Sequence, residues 1–390
     1  MNNFIYDIPV RVYFGKGQIE HLGEELKKYG ERVLLVYGGG SIKKNGLYGA
    51  VASEIKDAGL ELSELSGVDP NPKIHSIREG QKLCKEKKID MVLAVGGGSV
   101  IDCAKVVAAA ACVDFDPWDF LGKGVPIEKA LPVISVLTIA ATGSEMDNCA
   151  VISNPDTEDK IAISSSHMVP RASFLDPTYT YTVNRYQTAC GAADILSHVF
   201  EIYFAKERSL YMVECFMEGL MKTVIRYAPV ALREPDNYEA RANLMWASSW
   251  AINGFIEYGK NVTWICHPLE HELSALYDIT HGLGLAILTP RWMEYCLDET
   301  TAERFRQFGV NVLGIEKDLA PMEAAKKSIE MLSDFLFHTL GLSRTLTEIG
   351  IDDRNIKAMA EKICSGRTLP MESLKPLMQE DIEAIYRMCL

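Results

Sequence analysis

Two domains are predicted, an α/β half built on a parallel sheet and an all-helical half after it. Three observations predict this. A strand signal runs into a glycine-containing loop three times before residue 184, long helical patterns follow residue 185, and the length is 390 residues, too long for one ordinary core. Apolar residues make up 48% and charged residues 24%, which is globular composition and excludes a disordered chain.

The elements follow in order. Val33-Leu34-Leu35-Val36-Tyr37 is a β-rich run that stops at Gly38-Gly39-Gly40-Ser41, and a helical stretch covers 51–58. The pattern repeats as Met91-Val92-Leu93-Ala94-Val95, then Gly96-Gly97-Gly98-Ser99, then a helix over about 100–111. A third strand, 133–137, leads into Thr138-Ile139-Ala140-Ala141-Thr142-Gly143-Ser144-Glu145. Strand, glycine turn and helix in repetition give a Rossmann-like parallel sheet with helices on both faces. Beyond about 185 the reading is helical, with helices over 190–204, 239–252 and 324–340. The predicted domains are therefore 1–184, α/β, and 185–390, all-helical; the loops and histidines described next make the first dinucleotide-binding and the second metal-binding.

A glycine loop that opens a helix lets the backbone approach a phosphate, and the helix start offers N–H groups and partial positive charge. Two such loops in one α/β half point to a dinucleotide. Neither loop is G-x-G-x-x-G and neither ends in Gly-Lys-Ser/Thr, so a standard dinucleotide fingerprint or an ATPase loop is excluded. An acid on the ribose 2′-hydroxyl is usual where NAD is preferred. Here Ser41, Lys43 and Lys44 follow the first loop with no acid beside them, which favours NADP. Ser99 with Asp102 has the spacing of a capping box.

The helical half carries metal chemistry. Asp194 and His198 are four apart and share one face of a helix; His267 and His271 are also four apart, and His281 follows. Four of the eight histidines of the chain fall in these segments. One oxygen donor among imidazoles suits Fe²⁺ or Zn²⁺, with a coordination position left open for substrate. His267-Pro268-Leu269-Glu270-His271 also reads as H-x-x-E-H, the inverted zinc-peptidase pattern, which would leave the glycine loops without a use. Trp246, Trp250, Phe255 and Trp264 read as core aromatics rather than substrate contacts.

Other classes are excluded by charge and hydropathy. A net charge of -13 disfavours nucleic acid. The longest apolar run, 106–113, falls far short of the ~20 residues that span a bilayer. Ten scattered cysteines with no C-x-x-C pair, and no secretory signal at the start, fit a reduced, cytoplasmic protein.

The assembled motifs resemble the iron-containing alcohol dehydrogenase family. The residues that carry the likeness are Val95-Gly96-Gly97-Gly98-Ser99-Val100-Ile101-Asp102-Cys103-Ala104-Lys105, Ala141-Thr142-Gly143-Ser144-Glu145, and Cys266-His267-Pro268-Leu269-Glu270-His271-Glu272-Leu273 continuing to His281-Gly282. Tyr37-Gly38-Gly39-Gly40-Ser41-Ile42-Lys43 and the stretch 238–252 resemble its NADP(H)-dependent butanol dehydrogenase and aldehyde reductase branch. The resemblance implies a two-domain architecture like that of dehydroquinate synthase and one divalent metal, Fe²⁺ or Zn²⁺, held by Asp194, His198, His267 and His281. It places Gly38, Gly39, Gly40 and Ser41 at the adenosine 2′-phosphate, Gly97, Gly98, Ser99 and Asp102 at the pyrophosphate, and Thr138, Thr142 and Ser144 further along the cofactor. Lys160 would reach the nicotinamide ribose. His271, near nicotinamide and substrate, is the catalytic candidate for relaying a proton. Asp147 stands where members of this branch more often carry Asn, and would alter aldehyde selection if it faced the substrate. The implied reaction is hydride transfer between NADP(H) and small primary alcohols or aldehydes such as butanol and butanal, in a homodimer. A polyol dehydrogenase or a cyclising lyase shares the architecture, but a lyase would need a basic phosphate-binding cluster near the metal, and 190–281 shows none.

Overall fold

The computed structural model describes residues 2–365 and 367–390. They form two compact units. The first comprises Asp7–Asn184 together with Pro235–Asn253; the second comprises the segment ending at Tyr6, Arg185–Glu234 and Gly254–Leu390. The helix Tyr238–Trp250, which the sequence reading placed in the helical half, is thus part of the α/β unit. The reason lies in its partners. Ser249 Oγ donates to the Glu145 carboxylate at 2.5 Å, and Gly143 lies against Ser248 and Ile252.

The α/β unit is built on eight strands: β1 Arg11–Phe14, β2 Arg32–Tyr37, β3 Glu61–Leu65, β4 Met91–Gly96, β5 Val133–Leu137, β6 Cys149–Asn154, β7 Asp159–Ser164 and β8 Ala172–Leu175. Six of them form one parallel sheet in the order β1-β8-β5-β4-β2-β3, and β6 and β7 form a separate antiparallel hairpin. The unbroken apolar runs of β2 and β4 are explained by burial on both faces. Leu34, Val36, Val92 and Ala94 face one core with the helices Ile74–Lys87 and Gly98–Ala110; Val33, Leu35, Tyr37, Met91, Leu93 and Val95 face the other with Leu22–Leu26 and Leu47–Asp57.

The chain leaves β2 for β3 on one side and returns to place β4 on the other. That reversal makes the carboxyl ends of β2 and β4 the topological switch point, where open α/β sheets take their ligands. Both glycine loops sit there. Three strands, and the helices that follow the first two, lie where the sequence places them, with helix starts displaced by two to four residues.

The second unit is helical. Its axis is Arg185–Tyr203, whose side chains are buried almost without break from Thr188 onwards, as expected for a helix packed on several sides. Tyr211–Arg233 and His281–Cys296 pack against it. The expected helix 324–340 runs Pro321–Asp334, with Pro at its first position, and ends in a widened turn over Phe335–Thr339. No helix among the described residues is long and apolar enough to cross a membrane.

Candidate metal centre and cofactor loops

Three helices of the second unit bring the expected ligands together. Asp194 and His198 lie one turn apart on Arg185–Tyr203, His267 is the second residue of Cys266–Tyr277, and His281 is the first of His281–Cys296. Around the Asp194 Oδ1 stand His198 Nε2 at 3.6 Å, His281 Nε2 at 3.6 Å and His267 Nε2 at 3.9 Å. These separations are too long for hydrogen bonds. The His198 and His281 separations match the edges of a tetrahedron with bonds of roughly 2.0–2.2 Å, about 3.3–3.6 Å, and that of His267 is a few tenths of an ångström longer. Asp194, His267 and His281 each offer a ligand atom within 4.8 Å of the other two.

Burial tests whether a cation fits. Asp194 and His198 are each 2% exposed and His267 8%, and His267 Nε2 and His198 Nδ1 are buried without a hydrogen-bond partner. Burial, then the neighbouring His267 and His281, hold His198 well below the ordinary histidine value, which keeps it the neutral imidazole that a metal takes. For His267 burial pulls the same way, but the Glu201 carboxylate outweighs it and the net shift is upward. The donor set fits one divalent metal.

Two carboxylates that the sequence reading left unassigned orient these imidazoles. Glu201 Oε1 accepts from His267 Nδ1 at 2.5 Å and from the His267 N–H at 2.9 Å, while its Oε2 accepts from the N–H groups of Cys266, at 3.0 Å, and Ile265. It therefore caps the start of Cys266–Tyr277, whose own N-cap residue, Ile265, has no side chain to do so. Glu270 is fully buried, accepts from Ser274 Oγ and is paired with His281 Nδ1. A carboxylate on Nδ1 puts the proton there and leaves Nε2 as the lone-pair nitrogen that a metal could take. Glu201 was within reach of sequence reasoning, since it lies seven after Asp194 and three after His198 on the same helix face.

His271 lies beside this group, its ring 5.7 Å from that of His281 and 6.5 Å from that of His267. It clusters with Glu270 and His281 and, like His198, is not in the group formed by Asp194, His267 and His281. Trp264 meets His267 edge-on at 4.9 Å and His198 at 6.1 Å. The sequence reading treated it as core only; helical spacing carries no sign of a ring brought in by a loop.

In the α/β unit the loops converge. Gly38 and Gly39 follow β2, and Gly40 has φ 94°, a conformation that favours glycine, before Ser41 opens a one-turn helix. Gly97 is the N-cap of Gly98–Ala110, with Gly98 and Ser99 in the first turn. A Cβ on Gly38 would touch Val100, and one on Gly98 would collide with the Thr142 side chain. Thr138 N–H donates to Gly96 O at 2.9 Å. Lys160 is buried on β7, in register with Ser153 of β6.

Two details depart from the sequence reading. Ser99 and Asp102 make no capping box, because the helix starts at Gly98 and no side chain caps it. Asp102 instead accepts from Ser144 Oγ at 2.6 Å and from the Val151 N–H at 2.9 Å, so it ties the loop after β5 and the hairpin to the helix. Asp147 is buried against Lys105, Oδ1 to Nζ 2.5 Å, and accepts from the Cys149 N–H; its charge is neutralised internally. Burial pushes Asp102 up to about 6 and Glu145 up to about 7.

An acid near the first loop also escaped the sequence reading. Glu64 of β3 accepts from the hydroxyls of Tyr37 and Tyr48, each at 2.6 Å, and lies 3.8 Å from Lys43 Nζ. It stands 23 residues beyond Ser41, near the spacing at which a dinucleotide site places its ribose-binding acid, a signal missed by looking only beside the loop; the β2–β3 pairing brings it there.

Comparison with known proteins gives a consistent answer. Residues 9–177 match the model of iron-containing alcohol dehydrogenases, and 188–390 match that of the C-terminal part of the Fe-containing alcohol dehydrogenase family. The chain is 49% identical to NADH-dependent butanol dehydrogenase B of Clostridium acetobutylicum, over 99% of both chains. It is 40% identical to the NADPH-dependent aldehyde reductase YqhD of Escherichia coli, over 93% of both. The crystal structure of NADH-dependent butanol dehydrogenase A from Thermotoga maritima superposes with a TM-score of 0.94 at 39% identity, covering 100% of this chain and 99% of that one. The chain belongs to the iron-containing alcohol dehydrogenase family.

Proposed function

We propose that the protein interconverts small primary alcohols and aldehydes, butanol and butanal in type, by hydride transfer with NADP(H), using one Fe²⁺ or Zn²⁺ held by Asp194, His198, His267 and His281. The observation that carries this reading is the ring of three imidazole nitrogens at 3.6–3.9 Å around a buried carboxylate oxygen. A metal bound there supplies a Lewis acid for the substrate oxygen. Glu201 and Glu270 fix the ring orientation and tautomer of His267 and His281. The helix start at Gly97, Gly98 and Ser99 would take the pyrophosphate, with Thr138, Thr142 and Ser144 beyond it, and Asp102 would act through Ser144. Gly38, Gly39, Gly40 and Ser41 would border the adenosine ribose, and Lys160 would lie towards the nicotinamide ribose. His271, at the edge of the ligand group, would pass the proton that accompanies hydride transfer.

A peptidase reading loses its base: Glu270 is fully buried and engaged with Ser274 and His281. For the cofactor, Glu64 supplies an observation in favour of NAD(H), and two of the relatives above carry names that specify NADH. The expected homodimer and cytoplasmic location stay proposals; light scattering tests the first. The activity is tested by following nicotinamide absorbance with butanal, once with NADPH and once with NADH. Turnover is expected, and no turnover with either cofactor defeats the reading.

A further inference from the structure

The first glycine loop and the chain after β3 are one structure. The Gly67 N–H donates to Gly38 O and the Val68 N–H to Tyr37 O, each at 3.2 Å. Lys43 is one turn past Gly40, its N–H bonded to Gly40 O at 3.1 Å. Its ammonium lies over two rings, 5.0 Å from the centre of Tyr37 and 4.6 Å from that of Tyr48, and 3.8 Å from Glu64 Oε2. Both tyrosine hydroxyls donate to that same carboxylate. These two bonds, with Lys43, hold the Glu64 carboxyl below its ordinary value, so it is ionised at neutral pH. Lys43 and Glu64 keep about half and a third of their side-chain surface exposed, open to a ligand on the loop.

We propose that Glu64 sets the discrimination between 2′-phosphorylated and unphosphorylated adenosine cofactors, by engaging Lys43 as its counter-charge. The inference rests on the reading of the first glycine loop as the adenosine ribose site. A 2′-phosphate beside Gly40 and Ser41 meets an ammonium already shared with a carboxylate and two ring faces. A ribose hydroxyl needs no such cation. Tyr37 and Tyr48 fix the carboxylate, and so fix how far Lys43 is withheld. The arrangement lowers the advantage of the phosphorylated cofactor without removing the lysine that would bind it.

The test uses calorimetric binding of AMP and adenosine 2′,5′-bisphosphate to the full-length protein, which needs no turnover. Glu64→Gln should raise the affinity ratio of bisphosphate over AMP by about 5- to 50-fold. Glu64→Asp, which keeps the charge but draws it back from Lys43, should raise the ratio less than Glu64→Gln, which separates charge from misfolding. Lys43→Met should lower the ratio, and Glu64→Gln added to it should shift the ratio by less than about twofold, the measure of a coupled pair. An unchanged ratio in Glu64→Gln, or an equal rise with and without Lys43, overturns the proposal while leaving the enzyme reading intact. Failure of the parent protein to bind either nucleotide overturns the cofactor reading, and this proposal with it.

Discussion

Glu201→Gln is the sharpest probe of how the metal centre is built. The carboxylate accepts four hydrogen bonds, two at each oxygen: from Ile265 and Cys266 N–H at one, and from His267 N–H and Nδ1 at the other. Glutamine is isosteric but replaces one oxygen with an amide donor. With its NH₂ towards Ile265 and Cys266, two buried N–H groups lose their acceptor. Turned round, it faces the His267 N–H and drives His267 to the tautomer with the proton on Nε2, which cannot ligate a metal. Each stranded buried donor costs about 1–3 kcal/mol, so about 2–6 kcal/mol in all, a large part of a domain's stability. At roughly 2–4 °C per kcal/mol for a unit of this size, the metal-free variant should melt about 5–20 °C lower. Metal affinity, read by competition with a chromophoric chelator, should fall about 10- to 100-fold. A variant matching its parent in both melting and metal affinity would refute the capping and tautomer argument together.

Further outcomes follow from the same geometry. In Gly282→Ala the new methyl collides with the carbonyl of Cys190, in the helix that carries Asp194; a loss of about 1–3 kcal/mol and weaker metal retention are expected by thermal unfolding and metal analysis. Burial raises the Glu145 carboxyl from 4.5 to about 7 in the folded state, and its Oε2 is buried without a partner. A raised acid favours folding while protonated, so this contribution is present at pH 4–5 and is lost as pH climbs through about 7, a cost of roughly 2–4 kcal/mol. Glu145→Gln should flatten the fall in melting temperature between pH 5 and pH 8; an unaltered slope would assign that fall to other groups. His271→Ala should retain metal and cofactor yet turn over slowly, and loss of metal together with activity would make His271 a ligand instead.

Local rules made much of this legible. Apolar runs with glycine stops marked β2, β4 and β5 because strands buried on both faces leave no polar alternation to blur them. Four-residue spacing marked Asp194 with His198, because a helix converts that spacing directly into shared direction. What escaped depends on the tertiary structure. Glu64 reaches Lys43 only through the pairing of β2 with β3, and Trp264 reaches His267 from a loop. Asp102 had the spacing of a cap but bonds instead to Ser144 and Val151, since tertiary partners outcompeted the local one. The helix Tyr238–Trp250 looked like its helical neighbours in sequence; Ser249 and its bond to Glu145 tie it to the α/β unit.

The central claim is that a metal on Asp194, His198, His267 and His281 makes this protein an alcohol and aldehyde oxidoreductase. The most direct test is butanal reduction by protein stripped of metal, and by the same sample reloaded with Fe²⁺ or Zn²⁺, with bound metal counted alongside. The account predicts that activity vanishes on stripping, returns on reloading at one metal per chain, and is not restored in Asp194→Asn. Full activity without metal, or none after one metal per chain is bound, would contradict it.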